Sequence, residues 1–168
     1  MTNSIKTFSN YFAILLLTSF LAACATAPTE TTSPTSTSQS QVVGGVYVGT
    51  ETIEMLAVDV PDRVFFAYDS YSLAASAQAT LNKQAKWLKA NPSVAIAVEG
   101  HADERGTREY NLALGDRRAS SVKDYLMSQG ISSNRISTIS YGKERPVKSG
   151  SNDTAWAQNR RSVSVRTN

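Results

Sequence analysis

Residues 100–118, GHADERGTREYNLALGDRR, contain the main group of candidate functional residues in the chain. Just before them, larger apolar residues alternate with alanine over residues 94–98, which predicts a strand that runs into Gly100. The polar and glycine residues that follow have the composition of a loop. From about Arg108 the apolar spacing changes to three and four residues, which is typical of a helix. The stretch therefore predicts a strand, a polar loop and the first turns of a helix.

Two stripes of residues are predicted on this helix. The stripe expected to face the core consists of Leu112, Gly115, Ala119, Val122 and Leu126. A second stripe beside it places Asn111, Leu114 and Arg118 at positions i, i+3 and i+7. Asp103 at the strand exit and Arg118 two turns along the helix would then face each other across a cleft, with helix N-terminal amides nearby. Such a cleft suits a ligand that carries both an ammonium and a carboxylate.

The flanking segments complete an α/β pattern. Strands are predicted at residues 64–68, 94–98, 136–141 and around Val163 and Val165, and helices at residues 73–90, 108–129 and 154–159. The order β-α-β-α-β predicts a two-layer α/β sandwich, with crossover helices packed on one face of a mixed sheet. The pattern of residues 52–60 does not decide between two structures, an edge strand of the sheet and an irregular segment that lies along the domain.

The N-terminus predicts a secretory signal peptide at residues 1–23. Lys6 is the only charge before the apolar run at residues 11–21, which is shorter than the about 20 residues of a transmembrane helix. Residues 21–24, LAAC, resemble the bacterial lipobox, which implies acylation of Cys24. Ala25 after it implies sorting to the outer membrane. The alternative is an ordinary signal peptide in which Cys24, the only cysteine, is incidental; either way no intrachain disulfide forms.

The segment after Cys24 predicts a lipid-anchored tether over residues 24–55. Residues 26–41, TAPTETTSPTSTSQSQ, have almost nothing to bury and are expected to be disordered. Gly44, Gly45 and Gly49 are expected to keep the next stretch loose. The folded domain is expected over residues 56–168.

Charge narrows the choice of partner. The chain carries 17 Lys and Arg against 14 Asp and Glu, a net charge of +3. Nucleic acid is not expected, because the chain is exported and aromatic residues are not interleaved with the basic ones in a stacking pattern. An anionic polymer or an acidic protein is the more plausible partner.

Residues 100–126 resemble the signature of OmpA-like peptidoglycan-binding domains, most closely those of the peptidoglycan-associated lipoproteins. Supporting pieces are FFAYDSYSL at 65–73, ISYGKERP at 139–146 and AWAQNRRSV at 155–163. The resemblance covers residues 62–168, and one departure is Arg108, where such proteins often have proline. It implies an outer-membrane lipoprotein whose periplasmic domain binds peptidoglycan and acts with TolB and other Tol proteins in cell division.

The resemblance also implies a ligand and a site. The ligand is the diaminopimelate of the peptide stem, whose end carries an ammonium and a carboxylate. Asp103 is implied to accept the ammonium, and Arg118 to bind the carboxylate through two parallel hydrogen bonds. The full implied site consists of Asp69, Ser70, Tyr71, Asp103, Asn111, Leu114 and Arg118. No cofactor and no metal are expected.

Without the resemblance, these residues are also compatible with purely structural roles. Asp103 would equally cap the helix or pair with Arg105, and Arg118 would equally form a surface salt bridge with Asp116 or Glu109. His101, the only histidine, is more often a structural residue than a base in such a position, and with the nearby carboxylates it makes only a weak metal site.

An amidase or lytic enzyme acting on the same polymer is the alternative function. Glycoside hydrolysis needs two carboxylates at a defined separation, whereas the adjacent Asp103 and Glu104 point in different directions. The chain has no Gly-x-Ser-x-Gly nucleophile elbow. The sequence therefore favours a binding module without catalytic residues. A role for Arg160 beside the ligand is left open.

Overall fold

The computed structural model describes residues 42–50 and 53–167. The predicted signal peptide, Cys24 and the predicted tether up to residue 41 lie outside the described residues. The described elements, in chain order, are β1 (Val42–Val43), β2 (Val46–Tyr47), β3 (Met55–Ala57), β4 (Val60–Pro61), β5 (Arg63–Phe65), α1 (Ala75–Ala90), β6 (Ile96–His101), α2 (Arg108–Ser128), a 3-10 turn (Ser133–Arg135), β7 (Ile136–Gly142), α3 (Asp153–Asn159) and β8 (Arg161–Arg166).

The main sheet has four strands in the order β5-β8-β6-β7. Strands β6 and β7 are parallel and are connected by α2, while β8 runs antiparallel to both β5 and β6. The predicted two-layer α/β sandwich with a mixed sheet is confirmed. The two strands that α1 connects, β5 and β6, were expected to be neighbours in the sheet. In the structure β8 lies between them.

Helices α1 and α2 share one hydrophobic core with the sheet. The buried core residues are Val64, Phe66, Ala77, Leu81, Ala85, Leu88, Ile96, Val98, Ala119, Val122, Leu126, Ile131 and Ile136. Successive strand residues point to opposite faces, so Val64 joins this core while Phe65 packs in a second cluster with Val46, Tyr47 and Ala157. Burial of these two faces fixes β5 and so the loop that leaves it.

Two predicted boundaries and one predicted face are corrected. Strand β5 ends at Phe65 rather than at residue 68. The Phe66 amide still donates to the Arg160 carbonyl, but the Arg160 amide donates to the Trp156 carbonyl at the end of α3, so the ladder does not continue. Strand β6 begins at Ile96, where its pairing with Ile136 begins, rather than at residue 94. Leu112, expected in the core, is 45% exposed.

Helix geometry explains the exposure of Leu112. At about 100° per residue, Asn111 lies about 40° from Gly115 around the helix, whereas Leu112 lies about 60° away on the other side. Asn111 and Gly115 are both buried against the rest of the domain. The buried face of α2 is therefore centred between the two predicted stripes, and Leu112 falls just outside it.

Residues 42–47 form a hairpin at the position where the sequence predicts the end of the tether. Gly44 and Gly45 both have positive φ, 57° and 75°, as in the tight type I′ turns that connect two-residue hairpins. Val43 pairs with Val46 across this turn, and Tyr47 is 2% exposed with its ring against Phe65. The glycines therefore close a turn instead of loosening the chain, and this end of the predicted tether packs on the domain.

None of the helices in residues 42–50 and 53–167 is long and apolar enough to traverse a bilayer.

Candidate ligand-binding cleft

A cleft of about 170 Å³ opens where the loops after β5 and β6 meet the start of α2. Five of the seven predicted site residues line it: Asp69, Asp103, Asn111, Leu114 and Arg118. The other lining residues are Tyr68, Ala102, Arg105, Gly106 and Tyr110. The sequence-based grouping of an anion at a strand exit with a cation two helical turns away thus corresponds to one concave surface.

Arg118 forms the floor of the cleft and holds three chain segments together. Its exposed fraction is 0%. Its Nε donates to the Ser70 carbonyl at 2.8 Å, its Nη1 to the His101 carbonyl at 2.8 Å and its Nη2 to the Ala67 carbonyl at 3.2 Å. A guanidinium has five N–H groups, so one on each Nη atom remains for another acceptor.

Burial lowers the pKa of the Arg118 guanidinium. Loss of solvent around Arg118, followed by the positive charge of Arg160, lowers the pKa of Arg118 to about 10. The group remains protonated at neutral pH. The alternative interpretation, a surface salt bridge with Asp116 or Glu109, is wrong because the Arg118 side chain is buried and donates to backbone carbonyls.

The carboxylate of Asp103 is saturated by arginine donors. Oδ1 accepts from the Arg105 amide and from Arg105 Nε, both at 3.1 Å. Oδ2 accepts from Arg105 Nη2 at 2.7 Å and from Arg160 Nη1 at 3.3 Å. Burial opposes ionisation, but the hydrogen bonds from Arg105 and then Arg160 outweigh it and lower the pKa of Asp103. Asp103 therefore does pair with Arg105, as one of the alternative interpretations of the sequence held, and this ion pair lies within the cleft.

Two arginines that pair with Asp103 are anchored differently. Arg160 is 5% exposed and also donates to the carbonyls of Phe66 and Gly45. Arg105 is stacked between two aromatic rings, with its guanidinium carbon 4.2 Å from the Tyr68 ring centre and 4.1 Å from that of Trp156. Arg160 is thus fixed in the fold, whereas Arg105 closes one side of the cleft.

Asp69 lies at the rim of the cleft in an unusual backbone conformation. Its φ is 51°, in the left-handed region that aspartate tolerates better than most residues. Its Oδ1 accepts a hydrogen bond from the Tyr110 hydroxyl. Ser70 and Tyr71 follow outside the lining: Ser70 contributes its carbonyl to Arg118, and the Tyr71 ring lies 5.7 Å from the Arg117 guanidinium.

The start of α2 supports the loop of the cleft. Thr107, and not Asp103, caps the helix, with its Oγ1 accepting from the Tyr110 amide at 3.2 Å. Asn111 is 2% exposed and donates from Nδ2 to the Arg105 carbonyl at 2.8 Å. Leu114, at 4% exposure, supplies an apolar wall. One helix therefore fixes the loop that carries Asp103 and Arg105.

Comparison with known proteins places the domain. The family model of the OmpA family matches residues 65–160. The chain belongs to the OmpA family. This membership confirms the resemblance found in the sequence, and the matched residues include every residue of the cleft.

Individual OmpA-family relatives agree with this assignment. A peptidoglycan-associated lipoprotein of Brucella melitensis is 59% identical over 108 residues, 64% of this chain and 64% of that protein. One of Pseudomonas aeruginosa is 52% identical over 97 residues, 58% of this chain and 57% of that protein. The crystal structure of the peptidoglycan-associated lipoprotein from Burkholderia pseudomallei aligns with a TM-score of 0.62 at 43% identity, over 63% of this chain and 90% of that chain. The match thus covers less than two thirds of the length of each of these two curated relatives.

His101 is attached to the cleft through its backbone alone. Its carbonyl accepts from Arg118, while its ring is 1% exposed and lies 3.5 Å from Glu99 and against Tyr141. Burial, and then the positive charges of nearby arginines, lower the pKa of His101 to about 3. Among the described residues, no group of three or more His, Cys, Asp or Glu side chains is arranged to hold a metal ion.

Acid should destabilise the domain through His101. The pKa of an unfolded histidine is about 6.5, so between that value and about 3 the unfolded chain binds a proton that the folded chain does not. We expect the free energy of unfolding to fall with decreasing pH in this window, by up to about 1.4 kcal/mol per pH unit. Urea unfolding from pH 7 to pH 4 would show a shallower dependence for His101→Gln. Equal slopes for the two proteins would contradict the prediction.

Four contributors to the cleft are not among the predicted site residues. Tyr68 and Tyr110 were missed, Arg105 was considered only as an alternative partner of Asp103, and the role of Arg160 was left open. Three of them lie close in sequence to a predicted site residue: Tyr68 precedes Asp69, Tyr110 precedes Asn111, and Arg105 follows Asp103 by two positions. This closeness is the sequence signal that could have identified them. The pairing of Arg160 with Asp103 joins residues 57 positions apart. It arises from sheet topology and has no local sequence signal.

Proposed function

We propose that this protein is an outer-membrane lipoprotein, anchored by acylated Cys24, whose domain binds peptidoglycan non-covalently and ties the membrane to the cell wall. The names of its relatives, which are peptidoglycan-associated lipoproteins, support this proposal. The lipobox-like residues 21–24 and the tether rich in threonine and serine supply the anchor and the reach.

The observation that carries the proposal is the meeting of Arg118 with two carboxylates, Asp69 and Asp103, in one cleft. A diaminopimelate end carries an ammonium and a carboxylate on the same carbon. Its carboxylate fits the two remaining N–H groups of Arg118, because a guanidinium forms paired charge-assisted hydrogen bonds. Its ammonium fits the acidic side formed by Asp103 and the rim residue Asp69.

The remaining predicted residues have supporting roles in this proposal. Asn111 orients the loop and adds a hydrogen bond, and Leu114 contacts the methylenes of the ligand. Ser70 and Tyr71 form the rim beside Asp69, where the exposed Tyr71 ring lies next to the ligand. The position of each of these residues in or beside the cleft supports its proposed role.

The electrostatics favour binding over hydrolysis. The general acid of glycoside hydrolysis is a carboxyl group with a raised pKa, so that it is protonated at working pH. The arginine hydrogen bonds of Asp103 lower its pKa and keep it ionised. An ionised carboxylate suits the recognition of an ammonium and cannot protonate a glycosidic oxygen, which is why we propose a binder and not a lytic enzyme that cleaves the glycan.

A place in the Tol–Pal system is the cellular part of the proposal. The domain would alternate between peptidoglycan and TolB during cell division. The resemblance to the peptidoglycan-associated lipoproteins supports this part.

Calorimetry with stem peptides tests the ligand. We expect the purified protein to bind a stem peptide ending in meso-diaminopimelate and to bind the same peptide with lysine poorly, because lysine lacks the carboxylate that pairs with Arg118. Asp103→Asn should weaken binding by about 2–5 kcal/mol, the effect of removing one partner of a desolvated charge pair.

Asp116→Asn is the matched control, since Asp116 is exposed on the same helix and outside the cleft lining. It should bind as the unmodified protein does. Comparable binding of the two stems would refute diaminopimelate recognition. Release of dye from labelled sacculi by the purified protein would instead favour the enzyme.

A further inference from the structure

Arg105 occupies the position that the proposed ammonium would need. A carboxylate offers about four lone-pair sites. Asp103 uses four: Arg105 supplies three donors, two of them from its side chain, and Arg160 supplies the fourth. A ligand ammonium therefore meets an acceptor that already binds a cation of the same chain.

Arg105 is held in this place by more than its ion pair. The Tyr68 and Trp156 rings lie on either side of its guanidinium, at 4.2 and 4.1 Å. Its side chain is nevertheless 33% exposed, whereas that of Asp103 is 5% exposed. The guanidinium can thus leave toward solvent, while the carboxylate cannot.

We propose that Arg105 is a specificity-determining residue, a built-in competitor for Asp103 that yields only to a ligand carrying a free primary amine. This inference rests on the proposed function and adds a selection rule to it. The exchange replaces one cation at Asp103 by another, and Arg160 remains in place throughout. The Arg105 backbone amide and the bond from Asn111 to the Arg105 carbonyl keep the loop in place when the side chain moves.

A neutral ligand cannot replace the positive charge of Arg105 at Asp103. If it displaced Arg105, it would leave a buried carboxylate with fewer donors, and groups of that kind are strongly disfavoured. The distal amine of diaminopimelate is acylated when it accepts a peptide cross-link. The rule therefore selects stems whose distal amine is not cross-linked.

The Trp156 ring reports the exchange directly. In a Trp87→Phe background, Trp156 is the only tryptophan, because the chain has two. Binding of the free-amine diaminopimelate stem should change Trp156 emission as the guanidinium leaves the ring. The same stem acetylated on its distal amine should neither change the emission nor bind within tenfold of the free-amine stem.

Three substitutions separate competition from a direct contact. Arg105→Gln should bind the free-amine stem roughly tenfold more tightly, because the competing state no longer lowers the apparent affinity. Arg105→Lys, which keeps the charge but loses the planar fork, should fall between it and the unmodified protein. Arg108→Gln is the matched control: its side chain is 71% exposed and pairs with Glu144, and its binding should stay unchanged within about twofold.

The outcomes distinguish this inference from the proposed function. Weaker binding by Arg105→Gln, unaltered Trp156 emission on binding, or equal binding of the acetylated stem would overturn the competitor role while diaminopimelate recognition stands. Binding by Arg105→Gln but not by the unmodified protein would support the competitor role. Absence of binding in both proteins would overturn both proposals.

Discussion

Arg118→Ala should lower the free energy of unfolding by roughly 3–5 kcal/mol, an effect larger than most single substitutions produce. The substitution removes the donors of three carbonyls, those of Ala67, Ser70 and His101. It also empties the volume of a side chain that is 0% exposed. Water entering the space would recover part of the lost hydrogen bonding, which sets the lower end of the range.

Urea unfolding monitored by circular dichroism measures this effect. The adjacent Arg117→Ala is the control, since Arg117 is only partly buried and its guanidinium lies 5.7 Å from the Tyr71 ring. It should change the free energy of unfolding by about 0.5 kcal/mol or less. Equal effects at the two positions would mean that the carbonyl contacts of Arg118 contribute little to folding.

The stability role limits what Arg118→Ala can say about binding. A variant that has partly unfolded loses the cleft whether or not Arg118 touches the ligand. Arg118→Lys is the better binding variant, because it keeps a cation in the same space while it cannot present two parallel N–H groups to a carboxylate. Loss of stem binding with a near-native unfolding curve would then report on the ligand contact.

The elements that sequence predicts well are those with local signals. Helix α2 was predicted at residues 108–129 and is found at Arg108–Ser128, since it combines regular apolar spacing with a Gly130 stop. Asp103, Asn111, Leu114 and Arg118 all lie within that strand–loop–helix unit. Local periodicity therefore suffices to bring these four residues into one cleft.

The contact of Arg160 with Asp103, a role that the sequence left open, depends on long-range pairing. Strand β8 enters between β5 and β6, with Ser162 opposite Gly100 and Arg161 opposite Phe65. This register delivers the preceding residue, Arg160, to Asp103 at the end of β6. No periodicity near Arg160 contains that information, because the position of β8 in the sheet is set by its pairing with β5 and β6, which lie far away in the sequence.

Gly100→Ala should be the most damaging of the small substitutions, because strand β6 and helix α2 touch backbone to backbone at this point. A Cβ on Gly100 would lie 1.8 Å from the Gly115 carbonyl oxygen. Neither atom belongs to a flexible side chain, so the helix itself must move away from the sheet. Overpacking in a dense core costs about 1–3 kcal/mol when side chains can adjust, and we expect more than 3 kcal/mol here.

Gly44→Ala separates this clash from the general effect of replacing glycine. Gly44 has φ 57°, yet a Cβ there would meet nothing within 4 Å, so only the left-handed backbone is penalised, by about 1–2 kcal/mol. The free energies of unfolding of the two variants, from urea titrations at pH 7, should therefore differ by at least about 1–2 kcal/mol. Arg118 lies on α2, whereas the carbonyls that anchor it lie on the loops after β5 and at the end of β6. A displaced α2 would therefore also separate Arg118 from these carbonyls. Gly100→Ala should then lose stem binding together with stability, whereas Gly44→Ala should keep it. A Gly100→Ala protein as stable as Gly44→Ala would mean that the strand and helix can part without loss, and that the close crossing does not determine the geometry of the cleft.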